Sequence, residues 1–537
     1  MSVKVIEIGY GEIPEEHALE LEPLLRRIDS AERLDARGVD RIISEWASEG
    51  HAHPKKSTLF KAYLKLVNMG KMQDSRKMRS RLQLKPVRTS SGVAPVTVLT
   101  KPFPCPGKCI FCPDDVRMPK SYLPDEPGAM RAAMHKFDPY SQTASRIAAF
   151  ENIGHSAAKV ELLILGGTWS AYPKDYQEWF VKRCLDAMNG VDSESLEEAQ
   201  RINESSSHRN VGLVVETRPD WITKEEVIRL RRLGVTKVQL GAQSFDDCIL
   251  ELNKRGHDVE ATKEAIRLLR LGGFKIVLHW MPNLYGATPE SDYADFQKLW
   301  KDPALRPDEL KIYPTSLLRG TELYRLWEEG KYTPYTDEQL IELMIKLKLT
   351  IPRYCRLNRL MRDIPSPNIV AGYKHTNLRQ IVQQEMRRRG QRCRCIRCRE
   401  IRRLEVNPET LKLEILPYRT DATQEYFLSY VTPDDRIAGF LRLSLPNTPE
   451  SPIVEELKGR AMIREVHVYG PALEIGKESA GEAQHSGIGA RLIALAKGIA
   501  REHGFEWLAV ISAIGTRNYY RKHGFELQEL YMHSKLT

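Results

Sequence analysis

Long apolar runs are missing from this 537-residue chain. None approaches the roughly 18–20 residues that a bilayer crossing requires, so a membrane protein is not expected. The opening MSVKVIEIGYGEIPEEH has no basic stretch leading into an apolar core, so a cytoplasmic rather than a secreted protein is expected. Internal repeats and low-complexity tracts are also lacking. Cysteine is scarce, nine in all, yet six of the nine fall in two tight clusters. A disulfide framework would spread them; clusters read as metal ligands in a reducing compartment. What is present is the composition of a folded protein, 42% hydrophobic and 28% charged. At ~100–200 residues per domain, the length suggests about three or four domains.

Acidic residues are rare in two stretches. From Lys55 to Lys101 twelve Lys/Arg face only Asp74, and from Lys374 to Arg403 eleven face Glu385 and Glu400. These excesses of eleven and nine compare with a net charge of +10 for the whole chain. One such run is usually a solvated face. Two runs flanking a metal-binding core point to a phosphate backbone, which binds by counterion release.

Residues 14–47 and the segment LFKAYLKLVNMG carry helical spacing. Beyond them, VAPVTVL (93–99), KVELLIL (159–165), VGLVVET (211–217), TKVQLGA (236–242), FKIVLHW (274–280) and ELKIYP (309–314) read as strands alternating with amphipathic helices. Six such units with near-continuous apolar strands predict a parallel α/β sheet, open or closed into a barrel, with its chemistry at the strands' C-terminal ends. The pattern breaks after 350 into an Arg- and Cys-rich segment. YFLSYVT, RIAGFLRLSL, MIREVHVYG, the helix GIGARLIALAKGIAREHG and the strand WLAVISA then predict a small α+β domain. The expected domains are a basic helical RNA-binding region over 1–90, the α/β core over 91–350, a zinc-binding connector over 351–403 and the α+β domain over 404–537.

Cys105, Cys109 and Cys112 give C-x3-C-x2-C directly after the first strand. Soft thiolates suit iron–sulfur or zinc. Three of them can hold a cubane and leave its fourth iron open, whereas structural zinc wants a fourth protein ligand. With Phe111 before the last cysteine and six βα units, the segment resembles the radical-SAM superfamily. That resemblance implies a partial TIM-type barrel holding a 4Fe-4S cluster and S-adenosylmethionine (SAM), with electrons from an external donor. Gly166 and Gly167 at the end of the second strand would let the SAM methionine moiety approach the backbone. Glu216 would bind its ribose and Arg218 its carboxylate, and Gln239 and Gln243 lie on and after the fourth strand.

Gln484, Ser486, Gly487, Ile488, Gly489 and Ala490 open the long C-terminal helix in a pattern resembling the pyrophosphate loop of GNAT acetyltransferases. Glu465, Val466, His467 and Val468 lie on the strand that in such domains splays from its neighbour and pairs with the pantetheine of acetyl-CoA. Tyr519 and Tyr520, in NYYRKHGF, match the terminal motif, where a tyrosine reaches the CoA sulfur. Cys393, Cys395 and Cys398 (CRCIRC) suit structural zinc, with redox-active or unmetallated thiols as the alternatives. Cys355 or His375 is a candidate fourth ligand, and Cys184 and Cys248 read as core.

KCIFCP, GGTWS, ETRPD, RDIPSP, IREVHVYG and RNYYRKHGF together resemble the Elongator catalytic-subunit family in its stand-alone archaeal or bacterial form, over about residues 70–537. The resemblance implies a carboxymethyl-type modification at carbon-5 of the wobble uridine, in the anticodon stem-loop of tRNA, drawing on acetyl-CoA. It places Lys159 at the acyl donor near the cluster, and tRNA binding on Lys71, Arg76, Lys77, Arg79, Arg81, Lys85 and Arg88. A homo-oligomer is allowed. The alternative is a histone-type protein-lysine acetyltransferase with a structural cluster, although the positive surroundings suit RNA better than a peptide.

Overall fold

The computed structural model describes residues 13–32, 34, 37–84, 89, 91–402, 406–448, 453–470 and 487–536. Five helices come first: α1 (Glu15–Glu20), α2 (Glu22–Ser30), α3 (Gly38–Ser48), α4 (Lys56–Asn68) and α5 (Arg76–Leu82). Their apolar stripes, including Leu24, Leu25, Ile28, Phe60, Tyr63, Leu66 and Met78, close a core separate from the rest of the chain. This unit uses part of its own charge. Arg81 donates to the carbonyls of Ile28 and Ala31, each at 2.6 Å, and Lys77 donates to the Asp29 carbonyl at 2.5 Å. These groups cap the C-terminus of α2, where unsatisfied carbonyls attract cations. Arg79 is bidentate to Asp74, at 2.7 and 2.9 Å. Of the expected RNA-binding cations, Lys71 is exposed, the Arg76 side chain is not described, and Lys85 and Arg88 lie outside the described residues.

The core is a seven-stranded parallel sheet in the order β1-β2-β3-β4-β5-β6-β8. Its strands are β1 (Ala94–Leu99), β2 (Lys159–Leu165), β3 (Arg209–Thr217), β4 (Lys237–Gln243), β5 (Lys275–Trp280), β6 (Glu309–Ile312) and β8 (Arg356–Arg359), and β7 (Leu317–Leu318) pairs with β9 (Ile369–Ala371) apart from it. The six expected strands are present. The seventh comes from beyond residue 350, inside the expected connector. Its sequence, RLNR, is too short and polar to read as a strand; it forms because the outer edge of β6 needs a partner. Among the described residues β1 and β8 do not pair, so the barrel is partial.

The C-terminal sheet has the order β10-β11-β12-β13-β14-β16-β15. Its strands are β10 (Lys412–Arg419), β11 (Thr423–Val431), β12 (Ile437–Pro446), β13 (Arg460–Val468), β14 (Trp507–Val510), β15 (Glu526–Leu527) and β16 (Met532–Lys535). All neighbours are antiparallel except β13 and β14. The helix Ile488–Glu502 buries Leu492, Ile493 and Ala496 against the sheet. This domain docks on the N-terminal ends of the barrel strands. Arg464, at a bulge in β13, meets Asp308 just before β6 through two contacts of 2.7 Å. Lys275, the first residue of β5, meets Glu465 at 2.5 Å. Arg356, the first of β8, meets the Tyr469 hydroxyl at 2.8 Å.

Candidate functional site

A cavity of about 1030 Å³ runs inside the barrel from the first cysteine loop to Glu161, Lys237 and Glu309 near the strands' starts. At its upper end Cys109 accepts from Arg255 at 2.9 Å, and Cys105 lies 3.7 Å from the Thr168 hydroxyl. Burial, with the neighbouring Cys109, pushes the Cys112 thiol up to about 12. A tetrahedral zinc, with Zn–S bonds of ~2.3 Å, would hold its sulfurs about 3.8 Å apart. Among the described residues one group of potential ligands draws within 4.8 Å of one another, and it is Cys393, Cys395 and Cys398. The first trio does not gather to that spacing.

The surroundings of the loop fit a small zwitterionic ligand. Gly166 and Gly167 have φ of +146° and +93°. A Cβ on Gly166 would lie 1.8 Å from the Thr100 hydroxyl, so only glycine lets the chain pass there. Arg218 is bidentate to Asp220, both at 2.9 Å, and its third nitrogen is buried without a hydrogen-bond partner among the described residues. That nitrogen would lie 2.4 Å from a Cβ on Gly107, so it is aimed at the cysteine loop and offers a donor to a carboxylate. Burial raises the Glu216 carboxyl, Lys311 and Arg362 oppose the rise, and Glu126 adds to it. The Gln239 carbonyl accepts from His279 at 2.9 Å and from Lys311. Burial, then Lys311, drives His279 well below its ordinary value, so the ring is neutral. The Gln243 side-chain carbonyl is buried without a partner among the described residues. Arg255, in the loop after the helix Asp247–Leu252, and His279 and Lys311, within β5 and β6, have no local sequence motif around them.

Lys159 belongs elsewhere. It is the first residue of β2, opposite Arg209, at the end facing the C-terminal sheet. Seven residues of strand at ~3.3 Å each separate it from the cluster end by about 20 Å. The expected place near the cluster is therefore corrected. Burial and Arg209 lower its amine below the ordinary value.

In the C-terminal domain the β13–β14 register covers Arg460–Ile463 only, so from Glu465 onward β13 diverges from β14. Glu465 spends its carboxylate on Lys275 at 2.5 Å and Arg442 at 2.9 Å. His467 is packed on Tyr469 at 4.5 Å, with its Nε2 buried and without a partner among the described residues. Burial, partly offset by Glu465, pushes it down to about 4. Val466 and Val468 are half-buried. Gly487, at φ +69°, is the N-cap of Ile488–Glu502. A Cβ on Gly489 would meet the Tyr519 hydroxyl at 2.4 Å, so it is Tyr519 that overhangs the glycine loop. Tyr520 is buried against Phe525. Ala490 is exposed, and Gln484 and Ser486 lie outside the described residues.

In the second cysteine cluster, Cys398 accepts from Gln383 at 3.8 Å, and the Ile396 N–H donates to the Cys355 carbonyl at 3.0 Å. Neither candidate fourth ligand joins the trio. His375 is two-thirds exposed and lies 3.8 Å from Asp337. Cys184 is buried as expected, but Cys248 is exposed, because its turn of the helix Asp247–Leu252 faces outward. Among the described residues no helix is long and apolar enough to cross a membrane.

Residues 104–296 match the Radical SAM superfamily, and residues 307–388 match the Radical_SAM C-terminal domain. A tRNA uridine(34) acetyltransferase of Dehalococcoides mccartyi is 44% identical over 83% of this chain and 98% of its own length. One of Methanocaldococcus infernus is 40% identical over 96% and 98%. Elongator complex protein 3 of Homo sapiens is 38% identical over 84% and 86%. The solved structure of archaeal Methanocaldococcus infernus Elp3 with an N-terminal deletion (1–46) superposes with a TM-score of 0.73. It is 39% identical, and the match covers 83% of this chain and 99% of that one.

Proposed function

The chain belongs to the family of tRNA uridine(34) acetyltransferases and Elongator complex protein 3, and from that membership we propose that it modifies the wobble uridine of tRNA at carbon-5, with acetyl-CoA as acyl donor and a carboxymethyl-type group as product. The family is a radical SAM family, whose resident groups are a 4Fe-4S cluster and SAM. Bound here, they would supply radical chemistry able to take hydrogen from an unactivated methyl group, which acid–base chemistry alone cannot do.

The residues divide the work. Cys105, Cys109 and Cys112 hold the cluster, with Arg255 donating to Cys109. The free nitrogen of Arg218 takes the SAM carboxylate, the Gly166–Gly167 turn admits its methionine part, and Glu216 receives the ribose. Gln239, Lys311 and His279 give the barrel interior the donors and acceptors that hold a uracil edge, with His279 neutral at pH 7. Gly487 and Gly489 open the pyrophosphate loop, Tyr519 lies over it, and the divergent end of β13 receives the pantetheine. Lys159, the first residue of β2 at the barrel end on which the C-terminal sheet docks, would serve the acyl donor from there. Cys393, Cys395 and Cys398 hold a structural zinc.

The observation that carries this reading is a radical-type cysteine loop and a diverging acetyltransferase strand at opposite ends of one barrel. Its test is anaerobic reconstitution with SAM, acetyl-CoA, a reductant and tRNA, followed by nucleoside mass spectrometry. An acyl-derived uridine that requires both SAM and acetyl-CoA is expected. SAM-independent acetylation of a histone peptide, with unmodified tRNA, would overturn the reading.

A further inference from the structure

The neighbourhood of Cys393, Cys395 and Cys398 carries charge that the trio alone does not explain. Lys348, on the helix Asp337–Thr350, is fully buried, and its amino nitrogen has no hydrogen-bond partner among the described residues. Arg379, on the helix Leu378–Arg388, donates once to the Leu357 carbonyl at 3.1 Å, while a second guanidinium nitrogen is buried without a partner. The second of these helices borders the thiols and packs on the first. Gln383 of the second helix reaches Cys398, and Arg389 ties that helix to Glu342 of the first at 2.7 Å. Lys348 acts electrostatically on Cys393 and Cys398, and Arg379 on all three cysteines.

A buried cation without a counter-charge costs several kcal/mol. No carboxylate lies within ion-pair distance of either group among the described residues. The neighbouring groups able to supply negative charge are the sulfurs. Three neutral thiols offer none, whereas three thiolates on one divalent ion leave the centre at −1. We propose that Lys348, with Arg379, is the outer-sphere counter-charge of an anionic metal–thiolate centre at Cys393, Cys395 and Cys398. These are positioning residues: they touch no substrate and act through the metal's ligands. The balance also explains how the site dispenses with a fourth His, Cys, Asp or Glu from the described chain. One cation offsets the three-thiolate centre, and the second allows a small anion on the open corner.

This inference rests on the zinc reading given above, and the experiment separates the two. The full-length protein and its Lys348→Met and Arg379→Gln variants are purified anaerobically. Zinc content is measured by mass spectrometry, affinity by competition with a chromophoric chelator, and ligand geometry by cobalt(II) substitution. The expected result is a roughly 10–100-fold weaker affinity in Lys348→Met, the usual effect of losing an outer-sphere partner. The cobalt ligand-field bands should keep their position. The thiolate-to-cobalt charge-transfer band should move to lower energy, because sulfur orbitals rise when a nearby cation is removed, an effect that mere loosening of the fold does not produce. Arg379→Gln should show the same signs to a smaller degree and serves alone if Lys348→Met fails to fold. Unchanged affinity and bands would overturn the proposal. So would shifted ligand-field bands in Lys348→Met, which would make Lys348 a direct ligand. Absence of trio-bound zinc from the unsubstituted protein, with Cys395→Ala losing no metal, would instead remove the zinc reading itself.

Discussion

The glycine at 489 shows how one missing side chain places another. Tyr519 lies over the helix start because nothing projects there, and a Cβ would sit 2.4 Å from its hydroxyl. Gly489→Ala should therefore displace Tyr519 and weaken acetyl-CoA binding by about tenfold or more, a cost of the size expected for overpacking. Iron content and SAM binding should be unchanged; isothermal titration with acetyl-CoA and iron analysis check this. His467 gives a pH prediction. Its folded pKa of about 4 lies below the ordinary 6.5, so below pH 6.5 the unfolded chain takes up a proton that the native state refuses. The stability this residue contributes is full above 6.5 and lost as pH falls to about 4, by up to about 3 kcal/mol. Urea unfolding at successive pH values should show a shallower acid decline for His467→Gln. Local signals made the cysteines, Gly166, Gly167 and Arg218 readable in the sequence. They did not reveal Arg255, whose contact with Cys109 spans 146 residues.

At the scale of elements, β8 is the least self-sufficient strand of the barrel. RLNR has little apolar surface of its own, and it is held on one side by β6 and on the other through the second cysteine cluster. There the Ile396 N–H meets the Cys355 carbonyl and Arg379 meets Leu357. Chelation of the zinc proposed there should accordingly raise hydrogen exchange at residues 356–359 while β2–β4 stay protected, since local opening follows the loss of local contacts. Equal protection with and without chelator would show that β6 alone holds the strand. The other six barrel strands were legible because their apolar runs are long and bounded by helices with clear caps, such as Thr223 accepting from Glu226 and Asp258 from Ala261. The boundary at 350 was not, because a strand that owes its existence to a neighbour's edge leaves no periodic trace.

At the scale of the molecule, barrel and C-terminal sheet are joined by buried ions rather than by a flexible linker. Arg464 and Asp308 are both fully buried, and Glu425, equally buried, accepts from the same guanidinium at 2.7 Å. Burial alone would raise the Asp308 carboxyl, but Arg464, Arg442 and Arg270 outweigh it and hold it well below the usual carboxylate range. Removing one member strands the others, so Arg464→Ala should cost about 3–5 kcal/mol and lower the midpoint of a denaturant titration. If the domains instead unfold in two unlinked steps with the barrel's midpoint unchanged, the junction does not couple them. The sequence by itself determined the two chemistries, because cysteine spacing, glycine turns and strand patterns are local and survive in any correct fold. Tertiary structure alone decided how they are arranged: Lys159 at the far end of the barrel, the diverging end of β13 against the first residues of β5 and β8, and three of the basic N-terminal side chains spent on the unit itself. Those outcomes depend on which strand end meets which domain and which carbonyl lacks a donor, and such pairings between distant residues have no signature along the chain.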